Sequence, residues 1–183
     1  KESYNYPLSR GKWDANEGGV RVPFIVVGPG IEKNVESKSI ISFSDILPTI
    51  IDLAGNKIKN DKYLDGGSLK NVLENYKMNK ILRNDEGIVF HVPYENGIAL
   101  KRAHSAIRLD NFKLIKFYDN GQLMLFDLDN DLGEKNDLSS SDSSKTLKLE
   151  LLLDNYLKKV KAPKWKPGVH WRQTPIKKIN SFH

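Results

Sequence analysis

The sequence predicts an α/β protein: the end of a larger α/β domain, followed by a small four-stranded antiparallel sheet with a packed C-terminal helix. Three observations lead there. A β-branched apolar run, Val20 to Pro29, precedes a capped apolar segment, Ser44 to Gly55. Four short strand-like segments then follow one another from Gly87 to Leu128, and a leucine-rich segment, Lys145 to Val160, comes after them. The implied division is residues 1–80, the C-terminal part of the larger domain; residues 81–162, the antiparallel subdomain with its helix; and residues 163–183, a basic tail.

Each element has a local cause. The run VRVPFIVVGP ends in Gly-Pro-Gly and reads as a buried strand of a parallel or mixed sheet, with Pro23 tolerated at its entrance. In ILPTIIDLAG, Ser44 or Asp45 can cap the N-terminus, Pro48 sits in the first turn and Gly55 stops the helix. Its isoleucines and leucines leave little polar face, which predicts a buried helix. Asp65-Gly66-Gly67-Ser68 turns into a short helix, LKNVLENY, and the polar stretch Lys77 to Glu86 marks the boundary. The strands follow as GIVFHVP, SAIRL, FKLIKFY and QLMLFDL, with Asp119-Asn120-Gly121 as the hairpin signal between the last two. KTLKLELLLDNYLKKV spaces its leucines for one amphipathic helix over one face of that sheet.

Composition excludes some chemistries. With 183 residues and 39% hydrophobic content, the chain is long enough for a real core. No cysteine is present, which removes disulfides, thiolate metal ligands and a thiol nucleophile from these residues. No apolar run approaches the roughly 20 residues that cross a bilayer, and Lys1 to Arg10 has no signal-like apolar stretch. The chain reads as beginning inside a domain. A net charge of +6 favours acidic partners, among them nucleic acid, anionic lipid and polyanionic sugars.

A set of motifs narrows that choice. Pro7-Leu8-Ser9-Arg10-Gly11-Lys12, Glu17-Gly18-Gly19-Val20-Arg21-Val22-Pro23-Phe24 and Ser44-Asp45-Ile46-Leu47-Pro48-Thr49 stand in order, followed by Leu64-Asp65-Gly66-Gly67-Ser68-Leu69. Later come Phe90-His91-Val92-Pro93, Ser105-Ala106-Ile107-Arg108, Phe112-Lys113-Leu114-Ile115, and Leu125-Phe126-Asp127-Leu128 through Asp131 to Leu138. In order and spacing this series resembles the sulfatases of the alkaline phosphatase superfamily. The resemblance implies an alkaline-phosphatase-like sandwich and hydrolysis of sulfate esters, probing a sulfated small molecule or polysaccharide rather than nucleic acid or a membrane. It further implies a formylglycine nucleophile, made from Cys or Ser in a Cys/Ser-x-Pro-x-Arg motif, and a calcium ion. Neither the motif nor the Asp-Asn calcium ligands fall in these residues, so both are expected in a preceding N-terminal part of the same protein, the partner of this segment. A secreted or periplasmic location is implied by the family.

Lys12 matches the family's Gly-Lys ahead of Glu-Gly-Gly and is the catalytic candidate. Cleavage of a sulfate ester builds negative charge on nonbridging and leaving oxygens, and a positioned ammonium stabilises that charge best where water is excluded. It can also donate to the departing alkoxide. Trp13-Asp14-Ala15-Asn16 departs from the family's usual small and aromatic residues at this point. Substrate-binding candidates are His91, which either faces the cleft or is bonded to backbone at a strand end, and Arg102 and His104 in the basic loop ALKRAHSA. Glu17 and Arg21 read as an ion pair that holds a loop, with Gly18 and Gly19 permitting the turn.

Two other features carry less. Asp127-Leu128-Asp129-Asn130-Asp131 begins like an EF-hand loop, but the required Gly and final Glu are misplaced, so it reads as a polar turn. Trp165, His170, Trp171 and Arg172 among the tail lysines suit either ligand stacking or packing. Rival functions are a phosphonate or phosphodiester hydrolase of the same superfamily and a noncatalytic module that binds sulfated glycans.

Overall fold

The computed structural model describes residues 5–56, 64–78, 80–95 and 101–167. Within it the chain forms two compact units, one made of residues up to Val22 together with those from Gly87 onward, the other of Pro23–Glu86. The units divide after Val22 and after Glu86, where the sequence suggested a single division at residue 80, and the segment holding Lys12 falls in the same unit as the later sheet.

That sheet has four antiparallel strands, β1 (Ile88–Val92), β2 (His104–Leu109), β3 (Phe112–Phe117) and β4 (Leu123–Asp127), in the order β1-β2-β3-β4. All four lie where the alternating segments put them. Alternation along a strand sends successive side chains to opposite faces, and here both faces are covered. On one, Ile107, Leu114 and Leu125 pack against Leu149 and Leu153 of a long helix, α4 (Ser143–Lys159). The Asp142 side chain caps that helix by accepting from the Lys145 N–H. Lys116 adds ion pairs to Glu150 at 2.9 Å and Asp154 at 2.8 Å across the same interface. On the other face, Ala106, Ile115, Phe117, Phe126 and Leu128 close around Ala15. This second face receives the N-terminal loop and a four-residue helix, α1 (Glu17–Val20).

The other unit contains α2 (Ile46–Leu53), entered through a 3₁₀ turn at Phe43–Asp45, and α3 (Lys70–Glu74). Asp45 organises it. The fully enclosed carboxylate accepts from the backbone N–H of Ser42 and of Gly67, and takes a two-pronged hold from Arg83 at 2.9 and 2.6 Å. Thr49 Oγ1 donates to the Asp45 carbonyl and accepts from the Leu69 N–H. The Ser-Asp-x-x-Pro-Thr and Asp-Gly-Gly-Ser motifs thus make one polar joint, and a Cβ on Gly66 would run into the Ser44 carbonyl.

Two expectations fail in this unit. Val20 to Pro29 is not a strand: it starts in α1 and continues as extended backbone, with Ile25 86% and Val27 88% exposed. A strand needs a ladder partner, and none stands beside this run among the described residues. Nor is α2 buried, since Leu47, Ile50 and Leu53 face outward. The apolar pattern that predicted burial is real; the surface that would cover it is not supplied by residues 23–86.

Candidate functional site

Lys12 lies exposed in a loop whose backbone is unusual. Arg10 and Trp13 have φ of 60° and 85°, the left-handed region that costs a side-chain-bearing residue about 1–2 kcal/mol. Such conformations persist only where the surroundings over-determine them. Part of that determination is steric. A Cβ on Gly18 would strike the carbonyl oxygens of Ser9 and Arg10, and one on Gly19 those of Gly11 and Asp14, so Glu-Gly-Gly lets α1 lie directly on the loop.

The rest is electrostatic. Lys113, on the loop-facing side of β3, is wholly enclosed, with Nζ 2.6 Å from Glu17 Oε1, 3.1 Å from Glu134 Oε1 and donating to the Ala15 carbonyl at 3.0 Å. Arg108 of β2 donates to Glu17 Oε2 at 2.8 Å, Arg21 stands 3.6 Å from the same oxygen, and the Glu17 N–H donates to Glu134 Oε2 at 2.8 Å. Charges this deep are tolerated only when paired and hydrogen-bonded. The two carboxyls respond differently. Burial pushes Glu17 up, but Lys113, then Arg108 and Arg21, hold it below the usual glutamate value. Burial pushes Glu134 up, and the Lys113 charge with the Glu17 N–H offsets only part of that.

Glu17 and Arg21 accordingly do anchor a loop, within a larger cluster. Lys113, Arg108 and Glu134 were assigned no role from sequence, although all three sit in the quoted motifs. The available signal was a lysine at a position whose strand neighbours two residues apart, Ile115 and Phe117, are core residues.

The three substrate-side candidates occupy unlike places. His104 is completely enclosed on the loop-facing side of β2. Its Nδ1–H donates to the Arg102 carbonyl at 2.8 Å, which leaves Nε2 to accept from the Ala15 N–H at 3.1 Å. Burial lowers its pKa, with the Arg102 carbonyl and Asp14 opposing and Arg10 and Arg102 reinforcing. Arg102 spends its guanidinium on Asp119, at 2.7 Å twice, and on Asn120 and Gln122, while lying 3.9 Å over the Phe117 ring. Neither side chain is presented to a ligand: one is shut in beneath the loop, the other is saturated by the β3–β4 hairpin.

His91 points to the face opposite the Lys12 loop. In register with Ser105, it accepts at Nδ1 from that hydroxyl at 2.6 Å and donates from Nε2 to the Pro163 carbonyl at 2.7 Å, and Tyr118 Oη reaches Ser105 Oγ at 2.6 Å. Of its two sequence readings, the structure has the histidine bonded to backbone at a strand. Burial lowers its pKa, the Pro163 carbonyl opposing and the His104 charge reinforcing. In the tail, Trp165 is half-buried with an enclosed Nε1. His170, Trp171 and Arg172 lie outside the described residues.

A cavity of about 410 Å³ opens beside the loop, between Trp13 to Ala15, Gly19 and Val20 on one side and Val89 to Val92 of β1 with Tyr94 on the other. Lys12 Nζ lies 5.3 Å from the centre of the Trp13 ring, which places a cation next to a residue of the cavity wall. Among the described residues no group of three or more His, Asp or Glu converges as a metal site. The calcium implied by the resemblance has no such group of ligands among the described residues. No described helix is long and apolar enough to cross a membrane.

Comparison with known proteins identifies the family. Residues 12–162 match the family model described as N-sulphoglucosamine sulphohydrolase, C-terminal. A sulfatase of Formosa agariphila is 33% identical over 168 residues, 84% of this chain and 29% of the relative. Mouse arylsulfatase K is 30% identical over 166 residues, 87% of this chain and 28% of its own. The chain thus spans under a third of the length of these relatives. Among solved structures, Ps i-CgsB in complex with k-i-k-neocarrahexaose aligns over 97% of this chain and 39% of its own, at 25% identity and a TM-score of 0.63. A protein from the metabolism of multiple glycosaminoglycans by Bacteroides thetaiotaomicron aligns over 81% and 31%, at 25% identity and 0.62.

Proposed function

Because the chain belongs to the sulfatases, as the C-terminal segment of the N-sulphoglucosamine sulphohydrolase family, we propose that it serves hydrolysis of a sulfate ester on a sugar, with Lys12 as the sulfate-binding and leaving-group-stabilising cation. The observation that carries this reading is the pinned loop. Lys12 stands on strained backbone, beside a cavity of about 410 Å³ and above a buried ion cluster that fixes the loop's far end. A lysine whose backbone is held in this way needs less reorganisation to meet developing negative charge, which is the condition under which such a group accelerates a reaction.

In this reading Lys12 contacts the transferring sulfuryl group, and the cavity between Trp13 and Tyr94 receives the sugar. Arg102 and His104 support the loop, and His91 supports the tail. A sulfated sugar is favoured by the net charge of +6 and by similarity to a protein of glycosaminoglycan metabolism. The formylglycine and the calcium ligands belong, on family resemblance, to a preceding part of the same protein. The outward-facing Ile25, Val27, Leu47 and Ile50 are the surface against which that part would pack. A secreted or periplasmic location rests on the resemblance alone.

The test is hydrolysis of a generic aryl sulfate by the complete protein, produced with a formylglycine-generating enzyme, beside Lys12→Ala. Loss of at least roughly a hundredfold, the scale of one preorganised charge contact, supports the reading. Cleavage of a phosphodiester or phosphonate instead would move the substrate to the related hydrolases, and binding of sulfated glycans without cleavage would make the segment a binding module.

A further inference from the structure

We propose that His104 and Lys113 are positioning residues that together clamp the Ala15 peptide and so set where the Lys12 ammonium stands; this rests on the sulfatase reading of Lys12. Two side chains from neighbouring strands seize the two polar groups of one residue. His104 Nε2 accepts the Ala15 N–H at 3.1 Å, and Lys113 Nζ donates to the Ala15 carbonyl at 3.0 Å. Both are wholly enclosed, so water offers no alternative partner to either group.

The clamp fixes more than one bond. With both ends held, the orientation of Ala15 about the chain is determined, and the preceding residues must meet it by way of Trp13 at φ 85°. The strained turn therefore lies between Lys12 and the clamp. A chain free to relax there would leave the left-handed region and swing the lysine with it.

The histidine's own state is secured in turn. The Arg102 carbonyl can only accept, so it holds the ring proton on Nδ1 and keeps Nε2 open as an acceptor. Arg102 cannot drift, because Asp119, Asn120 and Gln122 grip its guanidinium. A relay of fixed groups thus runs from the β3–β4 hairpin to the loop. Arg102 and His104 serve the lysine from behind, without touching substrate.

The test uses the complete protein in three forms: unchanged, His104→Gln and His104→Phe. A glutamine can still present an acceptor near the Nε2 position; a phenylalanine fills the space and presents none. Two quantities are read, hydrogen exchange of the peptide spanning residues 13–17 and hydrolysis of an aryl sulfate. We expect His104→Phe to lose exchange protection at Ala15 and to lower kcat and kcat/KM together by about a hundredfold, the cost of misplacing a reacting group by an ångström. His104→Gln should restore both. Should His104→Phe fail to fold, the charge-balanced pair Lys113→Met with Glu134→Gln removes the other half of the clamp and should lower kcat with the fold retained.

Protection lost with hydrolysis unchanged would overturn the proposal, as would protection that never depended on His104. An unchanged protein that hydrolyses no sulfate ester would sink the reading of Lys12 and the positioning role with it, while the exchange result would still report whether the clamp exists.

Discussion

Lys113 Nζ and Glu17 Oε1 lie 2.6 Å apart with neither side chain reachable by solvent, so a strand of the sheet is tied to the first turn of α1 by a bond of full charges. Truncating such a partner leaves the other ion buried without compensation. Lys113→Met is expected to cost about 3–5 kcal/mol, because Glu17 and Glu134 would both lose it. Denaturant unfolding of the protein checks this, and a loss within the usual scatter of surface substitutions would mean that the cluster does not form.

The joint at Asp45 makes a separate claim. Arg83→Leu removes a two-pronged partner from a carboxylate that, among the described residues, keeps the Ser42 and Gly67 N–H donors. We expect several kcal/mol of destabilisation, about 3–5 on the same grounds, and partial recovery in Asp45→Asn with Arg83→Leu. Equal stability of the single and double variants would show that the ion pair is not what holds the joint.

On the α4 side of the sheet the term is apolar. Leu153 is completely enclosed against Ile107, Leu114 and Leu125. Leu153→Ala should cost about 2–5 kcal/mol, whereas Leu151→Ala, on the exposed side of the same helix, should cost under about 0.5 kcal/mol. Thermal unfolding of the two variants side by side gives the answer.

Stability should also depend on pH. The pKa values of His91 and His104 are lowered in the fold by burial, so the unfolded chain binds more protons over the range just below the ordinary histidine value. Their contribution is therefore present above roughly pH 6.5 and is lost as pH falls through the folded values. Glu17, also lowered, adds loss at more acidic pH; Glu134, raised, contributes in the opposite sense, its share vanishing as pH rises through its folded value. Melting midpoints between about pH 7.5 and 5.5 should fall more steeply for the unchanged protein than for His104→Gln. Parallel curves would mean that His104 does not titrate differently on folding.

The outward apolar side of the other unit leads to a prediction of opposite sign in two settings. Ile25→Glu with Ile50→Glu should raise the solubility of the isolated chain, since both residues are exposed in it, and should impair folding of the complete protein if they pack there. Solubility assays on both forms test this, and a complete protein indifferent to the change would exclude these residues from its core.

Much of the sheet was legible because its signals are local. Alternation, the Asp119-Asn120-Gly121 turn and leucine spacing each act over a few residues, and β1 to β4 and α4 fall within a residue or two of their expected limits. Val20 to Pro29 was misread because a strand is defined by its neighbour, and an apolar run says nothing of whether one is at hand. The direction of His91 was hidden for another reason. Both faces of the sheet are covered, so the alternation around it reads apolar on either side, and it takes the Ser105 hydroxyl across the strand pair and the tail carbonyl of Pro163 to tell which face holds the ring. The roles of Arg102, His104 and Lys113 depend on partners some 17 to 98 residues away in sequence order, such as Asp119 for Arg102 and Ala15 for Lys113, distances over which no local pattern extends.

The first unit is discontinuous, and this has a consequence for biosynthesis. Glu17 and its partner Glu134 are separated by 117 residues, an interval that a ribosome takes on the order of ten seconds to cover. Throughout that time the nascent lysine loop lacks the complete charge cluster that holds its strained turn in the folded protein. The loop that must be most exactly shaped is thus made well before it can take form, finished only when the hairpin beyond Lys113 has left the exit tunnel.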